Sequence, residues 1–390
     1  METSTPDVSI VIVGWRDAPE LPGCLAELAR TASTASREVV VALNEPTPEL
    51  VDALSNQPDL YDVLDVSSEN RGFGIANNDA ARLATGRLLF FLNDDARVTP
   101  GWLDPLVVRL DADRSIGAVG SVQVDDEGRI AEAGAFVYAD AAPVQIDATI
   151  LGGAAPEAGP VLYVSGAALM VRRGEFDELG GFDPGYHPAY YEDADLSLKL
   201  LGAGLTTWVE PTSVVRHHYG ASANRRYAGF LTEANRARFT ERWPEALQSL
   251  PPHAATFRIA HVRQDVVAVA AAIAQLAEGP RFSASVPDAP RPDGGWLAER
   301  ASALVATYAA ELAAQLDVAE ERIRELEARE AHLQVLVAER QDVLDRLVPH
   351  AEELEVRIKA LDDELGAILQ RTVVRAADKA AGLVRRVARS

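Results

Sequence analysis

Asp94 and Asp95 stand side by side, after Asn93, at the end of the apolar run Leu88-Leu89-Phe90-Phe91-Leu92. Two neighbouring carboxylates repel each other and are costly to dehydrate unless a cation neutralises them. Hard divalent ions such as magnesium or manganese prefer oxygen ligands. Asn and Asp also favour turns, so the triplet alone is equally compatible with an Asx cap. A second acidic group, Glu192, Asp193 and Asp195, puts three carboxylates into four positions just ahead of an apolar helical run. Acidic residues suit the positive end of a helix dipole, and a carboxylate in such a place can also serve as a general base. His217 and His218 follow the strand-like Ser213-Val214-Val215. An imidazole there can ligate a metal, bind a phosphate or be purely structural.

The elements that must position these groups are legible in the hydropathy pattern. Val8 to Val13 is a nearly continuous β-branched run, the pattern of a buried parallel strand. Residues 38–43, 61–66 and 87–92 read as further strands, with helices over 19–31 and 74–85. Strands alternating with helices at this spacing predict an α/β fold with a mainly parallel sheet flanked by helices. Ligands of such sheets bind beyond the carboxyl ends of the strands, where the acidic residues lie.

Composition narrows the function. The 390 residues include 59 acidic and 37 basic ones, for a formal charge of −22, which disfavours a nucleic-acid backbone as the main partner. Cys24 is the only cysteine, so neither an intrachain disulfide nor a multi-cysteine zinc site can form. The first seven residues do not resemble a signal peptide, and no uncharged apolar stretch is long enough to span a bilayer. A cytoplasmic location is the expectation.

The C-terminal third has another character. Residues 251–295 read as a connector, with one helical stretch over 261–278 and then a loop holding Pro280, Pro287, Pro290 and Pro292. From Leu312 to Ile368, alternating steps of four and three give an apolar seam of 17 positions broken only by Glu330 and Arg340, the signature of a long α-helical coiled coil. Pro349 is expected to kink or divide it. The expected organisation is 1–250, the α/β domain; 251–295, the connector; 296–370, the coiled coil; and 371–390, a basic amphipathic tail. That tail carries Arg371, Arg375, Lys379, Arg385, Arg386 and Arg389 against Asp378. It suits either an anionic membrane surface or a solvated helix end. Self-association through the coil and peripheral contact at the inner face of the plasma membrane are further expectations.

Over residues 7–245 an ordered set of segments resembles the inverting glycosyltransferase family 2, and most closely its bacterial rhamnosyltransferase-like branch. The set is Val8 to Val13, Asn70-Arg71-Gly72-Phe73-Gly74-Ile75-Ala76-Asn77-Asn78, Leu92 to Asp95, Gly166 to Arg173, Gly180-Gly181-Phe182-Asp183, Glu192 to Ser197, and His217 with Gly220 and Ser222. The resemblance implies a GT-A fold, with a mixed, mainly parallel sheet. It implies transfer of a sugar from a nucleoside-diphosphate sugar, of dTDP-rhamnose or UDP-hexose type, to an acceptor hydroxyl in surface-polysaccharide or glycan assembly, the acceptor being a glycan or lipid-linked. It implies a divalent metal, magnesium or manganese, held by Asp95 and His217 with Asp94 close by. Asp193 would be the base, and Glu192 would help to position the acceptor. Asn70, Arg71 and Asn78 would line the nucleotide site, and Gly72 and Gly74 would admit the backbone to it.

Two departures from the family pattern bear on the nucleotide. Leu43 stands where the family has an acidic residue, with Glu45 as the nearby substitute. Gly14-Trp15-Arg16 replaces a common Thr-Tyr-Asn type, and Trp15 either stacks on the base or packs at the sheet edge. Two other functions compete. A nucleotidyltransferase shares such a sheet, but Pro19 to Gly23 offers no glycine-rich triphosphate loop. A catalytically silent coiled-coil scaffold is the reading that Leu43 favours.

Overall fold

A computed structural model describes residues 5–218, 225–253, 259–276 and 294–387. Gly220 and Ser222, which the motif around His217 includes, and the proline-rich stretch Pro280–Pro292 lie outside the described residues. The chain divides into two compact units, Met1–Tyr308 and Ala309–Ser390.

The first unit opens with β1 (Val8–Trp15), α1 (Leu21–Arg30), β2 (Arg37–Asn44), α2 (Pro48–Ser55), β3 (Val63–Ser67), α3 (Gly72–Leu83) and β4 (Leu88–Asn93). There follow β5 (Ala96–Val98), α4 (Leu103–Ala112), β6 (Ile116–Val124), β7 (Ile130–Glu132), β8 (Ala135–Val137), β9 (Pro143–Gln145), α5 (Ala148–Leu151) and β10 (Gly159–Val161). The unit continues with β11 (Ala168–Arg172), α6 (Arg173–Glu178), α7 (Glu192–Gly202), β12 (Thr206–His217), α8 (Arg225–Arg242), α9 (Pro244–Gln248) and α10 (Ile259–Leu276). The last helix, α11 (Gly294–Val387), begins in the first unit and makes up the second.

The main sheet is 10-stranded, with the path β10-β12-β6-β11-β4-β1-β2-β3 and with β5 and β7 added on β12 and β6. Strands β3, β2, β1 and β4 are parallel neighbours. β11 is antiparallel to both β4 and β6, and β12 is parallel to β6. The sheet is therefore mixed and mainly parallel, flanked by helices. The antiparallel β11 brings its N-terminal end, Ala168, to the edge where β4 ends, since Ala168 pairs with Leu92.

Side-chain parity sorts the strands between two cores. Ile10, Ile12, Val41, Leu43, Phe90 and Leu92 face α1 and α4, where Leu21, Leu25 and Trp102 are buried. Val11, Val40, Ala42, Leu89 and Phe91 face the other way, toward the side of Ala80, Leu196 and Phe239. Leu43 is fully buried against Leu21 and Ala18 around Gly14. Its parity turns it away from the α3 face, so the departure at this position adds to the core. The next residue, Asn44, takes the α3 face. Helix α10 sends Val266, Val269 and Ile273 into the same core as α7.

Helix α11 is continuous for 94 residues, with Pro349 inside it, so the expected division there does not occur. Proline removes one backbone N–H from the helix ladder. Here the surrounding side chains are exposed, which lets water take up the freed carbonyl. Leu316, Ile323, Leu333, Leu344, Leu354, Ile358 and Leu365 of the seam are exposed within the chain. Arg371 and Arg375 of the basic tail are exposed as well, while the side chains of Lys379, Arg385, Arg386 and Arg389 lie outside the described set. No helix of the described residues is long and apolar enough to cross a membrane.

Candidate active site at the carboxyl edge of the sheet

The ends of β1, β2, β4, β6 and β12, with the start of β11, form one edge, and the acidic residues gather there. Asn93 closes β4, and its backbone N–H donates to Ala167 O at 3.1 Å. Asp95 is buried, with its Oδ1 2.9 Å from His217 Nε2. His217 Nδ1 lies 2.8 Å from Gln123 Oε1, and Asn93 Nδ2 lies 3.3 Å from His217 Nε2. With the Gln123 amide as placed, Gln123 Oε1 accepts from Nδ1–H, and Nε2 is directed at the Asp95 carboxylate. An imidazole nitrogen and a carboxylate side by side are a donor set that a divalent cation can share, and the outer hydrogen bond to Gln123 is the kind that orients a metal-binding histidine. Beside them, burial pushes the Asp94 carboxyl up to about 7, with the charge of Asp95 adding to the effect. Among the described residues no cluster of three or more His, Cys, Asp or Glu is arranged to hold a metal. One carboxylate, that of Asp95, is enough for magnesium, which is commonly bound by one or two carboxylates together with substrate phosphates and water.

The second acidic group sits at the N-terminus of α7. Tyr190 and Tyr191 precede it with φ of 81° and 75°, a left-handed conformation that is strained for two consecutive bulky residues. Tyr191 is held there by its hydroxyl, which donates to Ala141 O at 2.7 Å. This backbone presents Glu192 and Asp193 at the first turn. Asp193 Oδ2 accepts from Gly166 N–H at 3.2 Å, and its Oδ1 accepts from Ala194 N–H at 2.8 Å. Burial pushes both the Glu192 and Asp193 carboxyls up, and Glu192 also feels the charge of Asp193. Asp195 has a different place. It is fully buried and binds Trp243 Nε1 at 2.8 Å, Arg242 Nε at 2.7 Å and Tyr186 Oη at 3.3 Å, which makes it a structural tie.

One short segment, Ser165-Gly166-Ala167, joins the two acidic groups. Gly166 N–H holds Asp193, and Ala167 O holds Asn93 N–H. Ser165 N–H donates at 2.9 Å to Glu132 Oε1. Glu132 was not legible in the sequence. It is a lone acid on the short strand β7, and burial pushes its carboxyl up to about 7, with the charge of Asp193 adding. Gln123 was missed as well, although its place near the end of an apolar strand is a usable signal.

The expected nucleotide-lining residues divide. Trp15 is half-buried at the end of β1, with Arg16 4.9 Å over its ring, and its indole N–H has no hydrogen-bond partner among the described residues. Glu45 follows β2 and pairs with Arg16 at 3.4 Å, with both side chains exposed. Asn70, Arg71, Gly72 and Asn78 make contacts within the fold. Asn70 Oδ1 accepts from Gly72 N–H at 2.9 Å, which closes a turn. The Arg71 guanidinium binds Asp65 at 2.6 Å and Asp79 at 3.0 Å, although Arg71 shares a narrow crevice with Glu192. Gly72 has φ 71°, and a Cβ there would lie 2.5 Å from Pro188 O, so its freedom serves the contact with Pro188. A Cβ on Gly74 would meet Phe182 at 3.1 Å. Asn78 uses both ends of its amide on Phe182, donating to its O at 2.7 Å and accepting from its N–H at 2.9 Å. These residues fix α3 against the 182–188 loop that leads into α7.

Comparison with known proteins agrees with this architecture. The family model described as Glycosyl transferase family 2 matches residues 9–136. The chain carries a family 2 glycosyltransferase domain. The O-antigen biosynthesis protein RfbC of Myxococcus xanthus is 32% identical over 251 residues, which is 59% of this chain and 18% of that protein. This chain therefore corresponds to less than a fifth of that relative. The N-acetylglucosaminyl-diphospho-decaprenol L-rhamnosyltransferase of Mycobacterium tuberculosis is 27% identical over 271 residues, 60% of this chain and 83% of that protein. The crystal structure of GalNAc-T7 with UDP, GalNAc and Mn2+ superposes with a TM-score of 0.51 at 19% identity, covering 64% of this chain and 50% of that one. That likeness is one of fold, and the glycosyltransferase domain has the GT-A architecture.

Proposed function

We propose that this glycosyltransferase moves a sugar from a nucleoside-diphosphate sugar to an acceptor hydroxyl with inversion, in the assembly of a bacterial surface polysaccharide. The observation that carries the reading is the bridge through Ser165–Ala167, with Asp193 on one side and Asn93–Asp95 on the other. An inverting displacement needs these two functions on opposite faces of the anomeric carbon. Asp193 takes the acceptor proton as the oxygen attacks, and its raised pKa makes it a stronger base than an exposed aspartate. Such a base typically contributes about 10²- to 10⁴-fold to the rate. Glu192, whose carboxyl burial and the neighbouring Asp193 push up, orients the acceptor through a hydrogen bond. Asp95 and His217, with Asp94 beside them, hold a divalent metal, which when bound supplies positive charge to the leaving diphosphate. Trp15 and Glu45 are the residues left to contact the nucleoside.

The relatives suggest a donor of dTDP-rhamnose type, with UDP-hexoses as the alternative, and a lipid-linked glycan as acceptor. A basic tail at 371–390 suits an anionic bilayer surface, where a lipid-linked acceptor is presented. A donor screen tests the proposal. The purified chain is incubated with dTDP-rhamnose and UDP-hexoses, with magnesium, manganese or a chelator, and with a synthetic lipid-diphosphate sugar acceptor. Metal-dependent transfer with inverted anomeric configuration is expected. Retained configuration, or neither transfer nor hydrolysis with any donor, overturns it.

A further inference from the structure

The seam of α11 carries more information than its hydropathy. Leu316, Leu333 and Ile358 are 59%, 52% and 65% exposed within one chain, and the apolar row they belong to runs from Leu312 to Ile368. An exposed apolar row of this length requires a cover. The two polar interruptions indicate what the cover is. In heptad terms Glu330 is at an a position and Arg340 at a d position. They are ten residues apart on one helix, about 15 Å along its axis, so they cannot meet within a chain.

A parallel pair of copies sets each seam residue against itself. Glu330 would then face Glu330 and Arg340 would face Arg340, leaving like charges in the interior of the seam, the costly arrangement for buried ions. An antiparallel pair sets each a position against a d position. We propose that α11 pairs with α11 of a second copy running in the opposite direction, in the register that places Glu330 of each copy against Arg340 of the other.

That single choice fixes all the other layers. Leu333 meets Val337, Leu326 meets Leu344, Ile323 meets Leu347, Leu316 meets Leu354 and Leu312 meets Ile358. Ala319 meets Ala351, so the two small residues of the seam share a layer and every other apolar layer between Leu312 and Ile358 keeps two large side chains, while Leu361, Leu365 and Ile368 extend beyond the matched stretch. The two-fold axis passes at Val335. Pro349 falls on the outward face, where its missing N–H disturbs no packing. The flanking positions alone favour the parallel arrangement, through Arg322 with Glu327 and Arg357 with Asp362 of the other copy. Those pairs lie at the rim in water, where ion pairs contribute little, so the interior layers decide. This inference is independent of the sugar-transfer reading.

Two measurements on the full chain test it. First, Ala319→Cys and Ala351→Cys are made separately, with wild type, whose Cys24 is buried, as the background control. Under mild oxidation a mixture of the two variants is expected to give a covalent dimer linked 319 to 351, and neither variant alone is expected to do so. A dimer linked 319 to 319 or 351 to 351 overturns the antiparallel arrangement. Second, sedimentation reads the dimerisation constant. Glu330→Arg and Arg340→Glu should each weaken it at least tenfold, and the double exchange should restore it. A wild-type chain that sediments as one copy, or a double exchange as weak as the single ones, overturns the proposal.

Discussion

Glu132 offers the sharpest test of the site's electrostatics, because stability reads it without any knowledge of the sugar. The residue is 2% exposed, and its carboxyl is held by one backbone N–H from Ser165 and is pushed by burial from 4.5 up to about 7. In the unfolded chain the same group ionises near 4.5. Between these values the folded state binds the proton and the unfolded state releases it, so stability falls as pH rises from about 4.5 to about 7. Each pKa unit corresponds to about 1.4 kcal/mol, so the full loss is about 3 kcal/mol. Glu132→Gln keeps an oxygen for Ser165 N–H and removes the titration. The variant should match wild type near pH 5 minus any loss of fit, and should gain on it progressively up to about pH 8, by about 3 kcal/mol.

The assay is urea unfolding at pH 5, 6, 7 and 8, followed by tryptophan fluorescence. Trp102 and Trp243 are buried in the same unit as Glu132, so the signal reports the relevant transition. The quantity compared is the difference between variant and wild type at each pH, which cancels the titrating groups that do not interact with Glu132. A difference that stays flat across the series, or that shrinks as pH rises, refutes the claim that Glu132 is a dehydrated carboxyl beside Asp193.

Other expectations concern the proposed chemistry and its support. Asp193→Asn should lower turnover by about 10²- to 10⁴-fold while calorimetry shows metal-dependent donor binding unchanged. Asp95→Ala should abolish the metal dependence of that binding. Gln123→Leu should weaken metal affinity by about 10- to 100-fold without touching Asp95, because His217 loses the acceptor for its Nδ1 proton. Gly72→Ala should unfold the chain at lower urea than wild type, since a Cβ at φ 71° would press on Pro188 O.

The sequence made the strand ends legible because burial on both faces leaves continuous β-branched runs, and Val8–Val13 and Leu88–Leu92 are such runs. It made Asn93–Asp95 and Glu192–Asp193 visible because charge beside an apolar run is expensive unless it has a use. What it did not give is direction. The motif over 70–78 points to a nucleotide, but it does not say that Arg71 also binds Asp65 and Asp79 or that Asn78 binds Phe182. Both readings place the segment near the site; only the fold decides which way an amide or a guanidinium points. Leu43 is a similar case. Parity in β2 sends it to the α1 face and gives Asn44 the α3 face, where Asn44 Nδ2 donates to Gly72 O at 3.0 Å.

Glu132 and Gln123 were hidden for a different reason. Each is an ordinary residue in its local sequence, and each acquires its role from a partner far along the chain, Ser165 or His217. The residues of 70–78 also bear on the site through the elements they hold. Asn78 and Gly72 hold the 182–188 loop, that loop leads into the strained Tyr190–Tyr191 pair, and the pair aims Glu192 and Asp193. On the other side Gln123 orients His217, which faces Asp95. Between the two lies Ser165–Ala167, a segment with no ionisable side chain, which holds Asp193 through Gly166 N–H and Asn93 through Ala167 O. Its backbone N–H and C=O groups set the spacing between the proposed base and the proposed metal ligands. Substitutions in these supports should therefore shift turnover by altering that spacing, even where both carboxylates are intact.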